Sequence, residues 1–236
     1  MALTSKRQPD DLAEVWKDFD FFKGVEEAAL QALTGQALCH DYPKNNILSY
    51  RGDPASAVFL VVSGRVKIIL TNEEGREVIV SLLGPGGMFG LTSALDGGDQ
   101  LADAVTVEPS RIARFKANAF FTWTQSTPAV QRALVRELTR RVRDLHQQIG
   151  AHALLGAKDR LLYTLLEIAD SEGEHDPMST DILFTRPTHQ ELAHRIGSSR
   201  EVVSRLLAEL MDSELLEADE GRVIRVSQSA LILRED

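Results

Sequence analysis

Four side chains near the C-terminus, Arg200, Glu201, Ser204 and Arg205, fall on one side of a helical period. Val202, Val203, Leu206, Leu207 and Leu210 fall on the other. In the DNA major groove an arginine grips guanine O6 and N7 together, and a glutamate accepts from cytosine N4. Such a set can therefore read base edges. Its plain competitor is an exposed Glu201–Arg205 ion pair, worth ~0.3–0.5 kcal/mol. The surroundings favour reading. Ser198 or Ser199 caps this helix, Gly197 turns the chain before it, and a second short helix precedes the turn. Thr188 stands at that helix's N-cap with Glu191 three residues on, a reciprocal capping box. Gln190 and the first amides then face a phosphate position. Two helices joined tightly at a glycine make a helix-turn-helix. A hairpin follows, running through Leu215–Ala218 and Gly221–Val226 about a turn at Glu220–Gly221, and completes a winged module.

A long helix is predicted after Pro128, with Ser126 or Thr127 as its cap. Its apolar residues Val135, Leu138, Val142, Leu145 and Ile149, then His152, step by three, four, three, four, three. β-branched residues at a and leucines at d favour a parallel two-stranded coil. Arg136, Glu137, Arg140, Arg141 and Asp144 keep the other faces polar. These seam positions are the expected dimer interface; a helix packed on its own domain is the alternative.

Upstream, residues 10–36 read as helices, with Leu12, Val15, Trp16 and Phe19, then Ala28, Leu30 and Leu33, at helical spacing. From Leu38 to Lys116 the pattern becomes short β-branched runs separated by Gly, Pro, Asn and Asp. Strands are predicted at 38–42, 46–50, 57–62, 65–71, 77–83, 101–107 and 111–116, as in a sandwich or jelly roll. Gly84-Pro85-Gly86-Gly87 is a turn. Between the long helix and the helix pair come a helix at Lys158–Ser171, a polar loop at Glu172–Ser179 and a strand at Ile182–Thr185. The expected fold is α+β: a β-roll domain at 1–126, a dimerisation helix at 127–155 and a winged helix-turn-helix at 156–236.

Composition narrows the function classes. The longest apolar runs, such as Val58–Val62, are too short to span a bilayer, and the opening residues Met1–Asp11 are polar. Cys39 is the single cysteine, which excludes an intramolecular disulfide and a four-thiolate cluster. The expected location is cytoplasmic, with no membrane partner. No P-loop, Gly-x-Ser-x-Gly or dinucleotide fingerprint occurs. His40 is the lone histidine of the β-region, which argues against a cupin-like metal enzyme. The chain is expected to be no enzyme. Its formal net charge is −9, and residues 157–236 carry 9 basic against 17 acidic side chains, an awkward balance for a nucleic-acid binder. Residues 186–205 reverse the sign, with Arg186, Arg195, Arg200 and Arg205 against Glu191 and Glu201.

Gly197–Leu207 resembles the recognition helix of the CRP/FNR family of bacterial transcription regulators. Phe59–Lys67, around Gly64, is similar to a strand pair of that family's effector domain, and Gly86–Gly90 to the segment leading into its ligand cassette. The likeness covers nearly the whole chain, with a cyclic-nucleotide-binding-like β-roll, dimer helix and winged module in the family's order. It implies an effector-controlled homodimer on an inverted-repeat site in double-stranded DNA, working with RNA polymerase, as an activator or a repressor. Glu201 and Arg205 would then contact bases, Thr188 and Gln190 phosphates, and Arg200 either; Ser199 and Ser204 complete the set. The Glu201-x-x-Ser204-Arg205 pattern is closest to the FNR branch and TTGAT-type half-sites, while Arg200 leans towards TGTGA.

The same resemblance exposes departures. The family's cyclic-nucleotide cassette has a Glu beside its Gly and an Arg-Ser pair about ten residues on. Here Leu91 follows Gly90, with Thr92 next, and Leu101-Ala102 replace the pair. Leu145-His146 replace the Thr-Ser pair that meets the purine. Leucine can neither neutralise nor hydrogen-bond a phosphate. Gly90, Leu91, Thr92, Leu101, Ala102, Leu145 and His146 are thus an expected effector pocket that does not suit cAMP. An apolar or 2-oxo-acid-like effector, or none, remains, with haem through His146 as another alternative.

Overall fold

The computed structural model describes residues 9–75, 77–176, 179, 181–212, 216–218 and 221–226. Contacts divide the chain into Met1–Arg143 and Asp144–Asp236.

The first unit begins with α1 (Pro9–Lys17), a 3-10 turn (Asp20–Phe22) and α2 (Glu27–Thr34). The strands are β1 (Leu38–Tyr42), β2 (Ile47–Ser49), β3 (Ala57–Ser63), β4 (Val66–Thr71), β5 (Glu77–Leu83), β6 (Met88–Phe89), β7 (Asp103–Thr106) and β8 (Ser110–Lys116). Helix α3 (Leu91–Asp96) follows β6, and α4 (Ala117–Ser126) follows β8. The strands form two antiparallel sheets, in the orders β1-β8-β3-β6 and β2-β7-β4-β5. Each predicted strand is present within a residue or two. The two-residue β6 and helices α3 and α4 have periods too short or too mixed to be legible in the sequence.

β3 shows how the roll is built. Its apolar run is buried on both faces, hence its lack of alternation. Ala57, Phe59 and Val61 meet residues of both sheets, with Phe59 stacked on Phe89 at 4.7 Å. Val58, Leu60 and Val62 pack beneath Trp16, Phe22, Phe120 and Trp123 from the helices. Trp123 Nε1 donates to the Ala29 carbonyl at 2.8 Å, so its buried polar edge is satisfied. Gly64 must be glycine: its φ is +81° and a Cβ would lie 2.6 Å from the Pro109 carbonyl.

Helix α5 (Pro128–Leu154) crosses the division between the units. The Ser126 hydroxyl donates to the Trp123 carbonyl, and the Thr127 carbonyl accepts from Val130 and Gln131. The second unit adds α6 (Ala157–Glu172), β9 (Glu174–His175), β10 (Ile182–Thr185), α7 (His189–Ile196), α8 (Arg200–Met211), β11 (Leu216–Ala218) and β12 (Val223–Val226). Its sheet runs β11-β12-β10-β9. The short β9 lies in what was predicted as loop. Leu215 and Glu220 of the expected hairpin lie outside the described residues. Among the described residues no helix is long and apolar enough to cross a membrane.

Candidate nucleic-acid interface

Two caps set the helix pair. The Thr188 hydroxyl accepts from the Glu191 amide at 3.2 Å, and Glu191 Oε2 accepts from the Thr188 amide at 2.8 Å. The capping box read from the sequence is formed. It also takes the hydroxyl proton of Thr188, which Glu191 Oε2 accepts at 2.8 Å. That leaves the first-turn amides as the donors for an anion, because the first amides of a helix have no intrahelical acceptor. Gln190 Nε2 lies 2.6 Å from His194 Nε2 on the same helix. Gly197 closes α7 with φ +63°, and Ser198 N donates to the Ala193 carbonyl at 2.9 Å, a left-handed helix end that favours glycine. The Ser199 hydroxyl then accepts from Val202 N at 3.3 Å and caps α8.

Val203, Leu206, Leu207 and Leu210 are buried with Leu161, Leu165, Leu192 and Ile196, and Val202 is partly buried at their edge. Burial of this stripe leaves Arg200, Glu201, Ser204 and Arg205 on the outer face, where they line one shallow depression of ≈ 510 Å³. The Glu201–Arg205 ion pair does not form. Glu201 turns back on the helix start, where its own amide and then the Ser199 hydroxyl hold its carboxyl below the usual range. Arg205 instead lies 3.9 Å from Glu209, itself 3.9 Å from Lys158. Arg205 is 70% exposed, so the pair costs little to break.

Arg222 and His189 join Arg186 and Arg200 in a basic group beside this face, an addition that the sequence did not reveal. Arg186 N donates to the Arg222 carbonyl at 3.0 Å, beside the wing turn. Burial and then the Arg222 cation hold Arg186 below its ordinary value. Burial, Arg186 and Arg200 do the same to His189. Arg186, just after β10, thus lies near Arg222 of the wing on one hand and near His189, at the start of α7, on the other, with Arg200 also close to His189. The register Thr185↔Val223 brings Arg186 and Arg222 together, and only the hairpin pairing could have revealed it.

On α5, Val135, Val142, Leu145 and Ile149 are 63%, 51%, 50% and 65% exposed. Of the expected seam residues Leu138 departs from them. Leu138 is partly buried against the helix and sheet core of the first unit, with Val130, Ala133 and Leu134. His152 is exposed, as they are, and its ring lies beside the α7–α8 turn, where a Cβ on Gly197 would be 3.2 Å from its Cε1.

Within the first unit the expected effector residues differ in burial. Gly90 has φ +72° and opens α3. Leu91 is fully buried in the core under the helices, not at a ligand wall. Thr92 is exposed and Ala102 partly buried, while Leu101 is 62% exposed. The loop around Leu101 carries Asp96, Asp99 and Asp103, the last accepting from Arg51 N at 2.6 Å. Leu145 and His146 are exposed on the part of α5 that belongs to the second unit.

Residues 39–127 match the family model of the cyclic nucleotide-binding domain, and residues 159–232 that of the Crp-like helix-turn-helix domain. The CRP-like cAMP-activated global transcriptional regulator of Mycobacterium tuberculosis is 29% identical over 213 residues, 90% of this chain and 94% of its own. The cyclic AMP receptor protein of Thermus thermophilus is 32% identical over 191 residues, 81% of this chain and 84% of its own. In fold, the c-di-GMP responsive global regulator CLP of Xanthomonas campestris superposes with a TM-score of 0.73 at 24% identity, over 85% of this chain and 99% of that one.

Proposed function

This chain belongs to the CRP/FNR family of DNA-binding transcription regulators, not to a family of enzymes, and from that premise we propose that it acts as an effector-controlled homodimer on an inverted-repeat operator. The observation that carries the reading is the outer face of α8. Arg200, Glu201, Ser204 and Arg205 stand clear of the core on a helix capped at its start, and Arg186, His189 and Arg222 border them. We assign base contacts to Glu201, Ser204 and Arg205, and backbone contacts to Ser199, Gln190, the amides that follow Thr188, and the bordering basic residues. Two such faces in a dimer engage half-sites one helical turn apart, ~34 Å. The half-site is TTGAT-like or TGTGA-like. RNA polymerase is the further protein partner, and the site of action is the cytoplasm.

The exposed Val135, Val142, Leu145 and Ile149 support the dimer, since four large apolar side chains on one helix stripe cost free energy in water. We assign residues 1–126 to effector sensing, 127–155 to dimerisation and coupling, and 156–236 to DNA reading. Effector binding would shift the population between arrangements of the two reading modules.

The Mycobacterium and Thermus relatives are cAMP proteins by name, and the Xanthomonas neighbour is c-di-GMP responsive. Leu91 in the core and Leu101 beside three aspartates do not suit the phosphate of either ligand. The effector is therefore of another class. Haem does not suit the residues present: His146 and His152 are both exposed, and the His152 ring lies beside Gly197. A gel shift on fragmented genomic DNA tests the reading, and the expected result is retention of a few fragments sharing an inverted repeat. Uniform or absent retention, across redox conditions and added metabolites, removes it.

A further inference from the structure

The end of the long helix and the helix-turn-helix are tied together at one point within Asp144–Asp236. Arg160, in the first turn of α6, donates from one terminal nitrogen to the Leu155 carbonyl at 2.8 Å and from Nε to the Ile196 carbonyl at 3.0 Å. These carbonyls belong to the C-terminal ends of α5 and α7, where helix dipoles place negative charge and acceptors lack intrahelical donors. One guanidinium thus brackets the two ends. His152, in the last turn of α5, lies beside the same turn. A Cβ on Gly197 would lie 3.2 Å from the imidazole Cε1 and 3.6 Å from Nδ1. Gly197 is the residue whose left-handed backbone sets the angle between α7 and the reading helix α8.

The ring's charge state bears on this contact. Burial, and then the Arg160 cation, disfavour protonated His152. Among the described residues Arg160 is the charged group that acts on the ring. Gly197, which the ring meets, carries no charge, and the Asp159 carboxylate lies by Gly156. The ring is exposed to solvent on its outer side, and a proton taken up there would set a second cation beside Arg160.

We propose that His152 is a positioning residue for DNA recognition: the neutral ring seats the Gly197 turn against the end of the long helix, and proton uptake unseats it, weakening DNA binding in acid. The inference rests on the DNA-reading role of α8, and it makes the proton a regulatory input separate from the β-roll.

The test uses the full chain and a duplex bearing an inverted repeat retained from genomic fragments, with affinity measured at about pH 7.5 and about pH 5.5 at fixed salt. His189 works in the opposite sense, because its protonation adds positive charge beside Arg186 and Arg200. The wild type is therefore compared with His152→Gln. The variant should match the wild type at the higher pH and bind about five- to tenfold more tightly at the lower, the effect of somewhat under one pKa unit of coupling. His189→Gln should leave that difference intact, and His152→Lys should weaken binding at both pH values. Identical pH profiles for wild type and His152→Gln, in a chain that binds DNA, overturn the proposal. A wild type that binds no duplex removes the DNA reading instead. NMR of the free protein then decides the bracket by itself: the Gly197 amide should titrate with the His152 Cε1 proton, and an amide indifferent to that titration overturns it.

Discussion

Glu201 and Arg205 stand one turn apart on α8 yet hold different partners: Glu201 the start of its own helix, Arg205 the loosely paired Glu209. An arginine so exposed and so weakly engaged can exchange Glu209 for a guanine edge at little cost. Arg205→Ala should relax base preference at one position and cost ~1–3 kcal/mol at a cognate site. Selection from random duplexes reads this directly, and an unchanged sequence preference removes Arg205 from the reading set. A different role is expected of Arg222, a wing residue beside Arg186: contact with phosphate and not with bases. Arg222→Ala should weaken binding evenly across sequences and reduce the slope of log K against log salt by about 1. A retained slope would place Arg222 off the duplex.

At the scale of elements, α5 divides its apolar residues between two duties. Val130, Ala133, Leu134 and Leu138 hold the helix to the first unit, while Val135, Val142, Leu145 and Ile149 are left outward. A charged residue in the middle of the outward stripe should cost a dimer its seam without disturbing the fold of either unit. Val142→Asp is thus expected to halve the molar mass seen by light scattering and to weaken operator binding sharply; an unchanged mass relocates the interface. Helix α7 depends on its cap in the same local way. Thr188→Ala removes an acceptor that the Glu191 amide uses, at a cost of about 1 kcal/mol in the stability of the winged module, measurable by urea unfolding.

For the whole molecule, acid should act in two stages. His152 and His189 are both held below their ordinary value of 6.5, by burial first and then by neighbouring arginines. The unfolded chain therefore takes up protons first, and stability falls as pH drops from about 6.5 through the lower native values. Glu137 adds the second stage. Burial alone would raise its carboxyl, but Arg140 and Arg141 outweigh burial and hold it below its ordinary 4.5. Its contribution is present above that value and lost as pH falls through the lowered one. Arg141 also donates to the Met88 carbonyl at 2.5 Å, so the second loss loosens the attachment of α5 to β6. Urea midpoints against pH should show both steps, with the first absent in a His152→Gln, His189→Gln double variant. A flat profile between pH 7 and about 5 in the wild type would contradict the assignment. The acidic total, net −9, does not prevent DNA binding, because the field at the docking face comes from Arg186, Arg200, Arg205 and Arg222.

The capping box at Thr188–Glu191, the left-handed turn at Gly197 and the burial stripe of α8 were legible in the sequence by itself. Each depends on residues within one or two helical turns, where periodicity and backbone chemistry leave few options. The same holds for the strands between Leu38 and Lys116, whose punctuation is local. Tertiary structure alone decided that Leu91 is core, that Leu138 faces its own domain, that the His152 ring lies beside Gly197, and that Arg186 meets Arg222. In each of these the deciding partner is remote in sequence, brought near by sheet register or helix packing that no local pattern encodes. Glu201 lies between the two cases. Its place on the outer face follows from the period, but its turn back onto Ser199 instead of towards Arg205 is a competition among nearby donors that the folded geometry resolves.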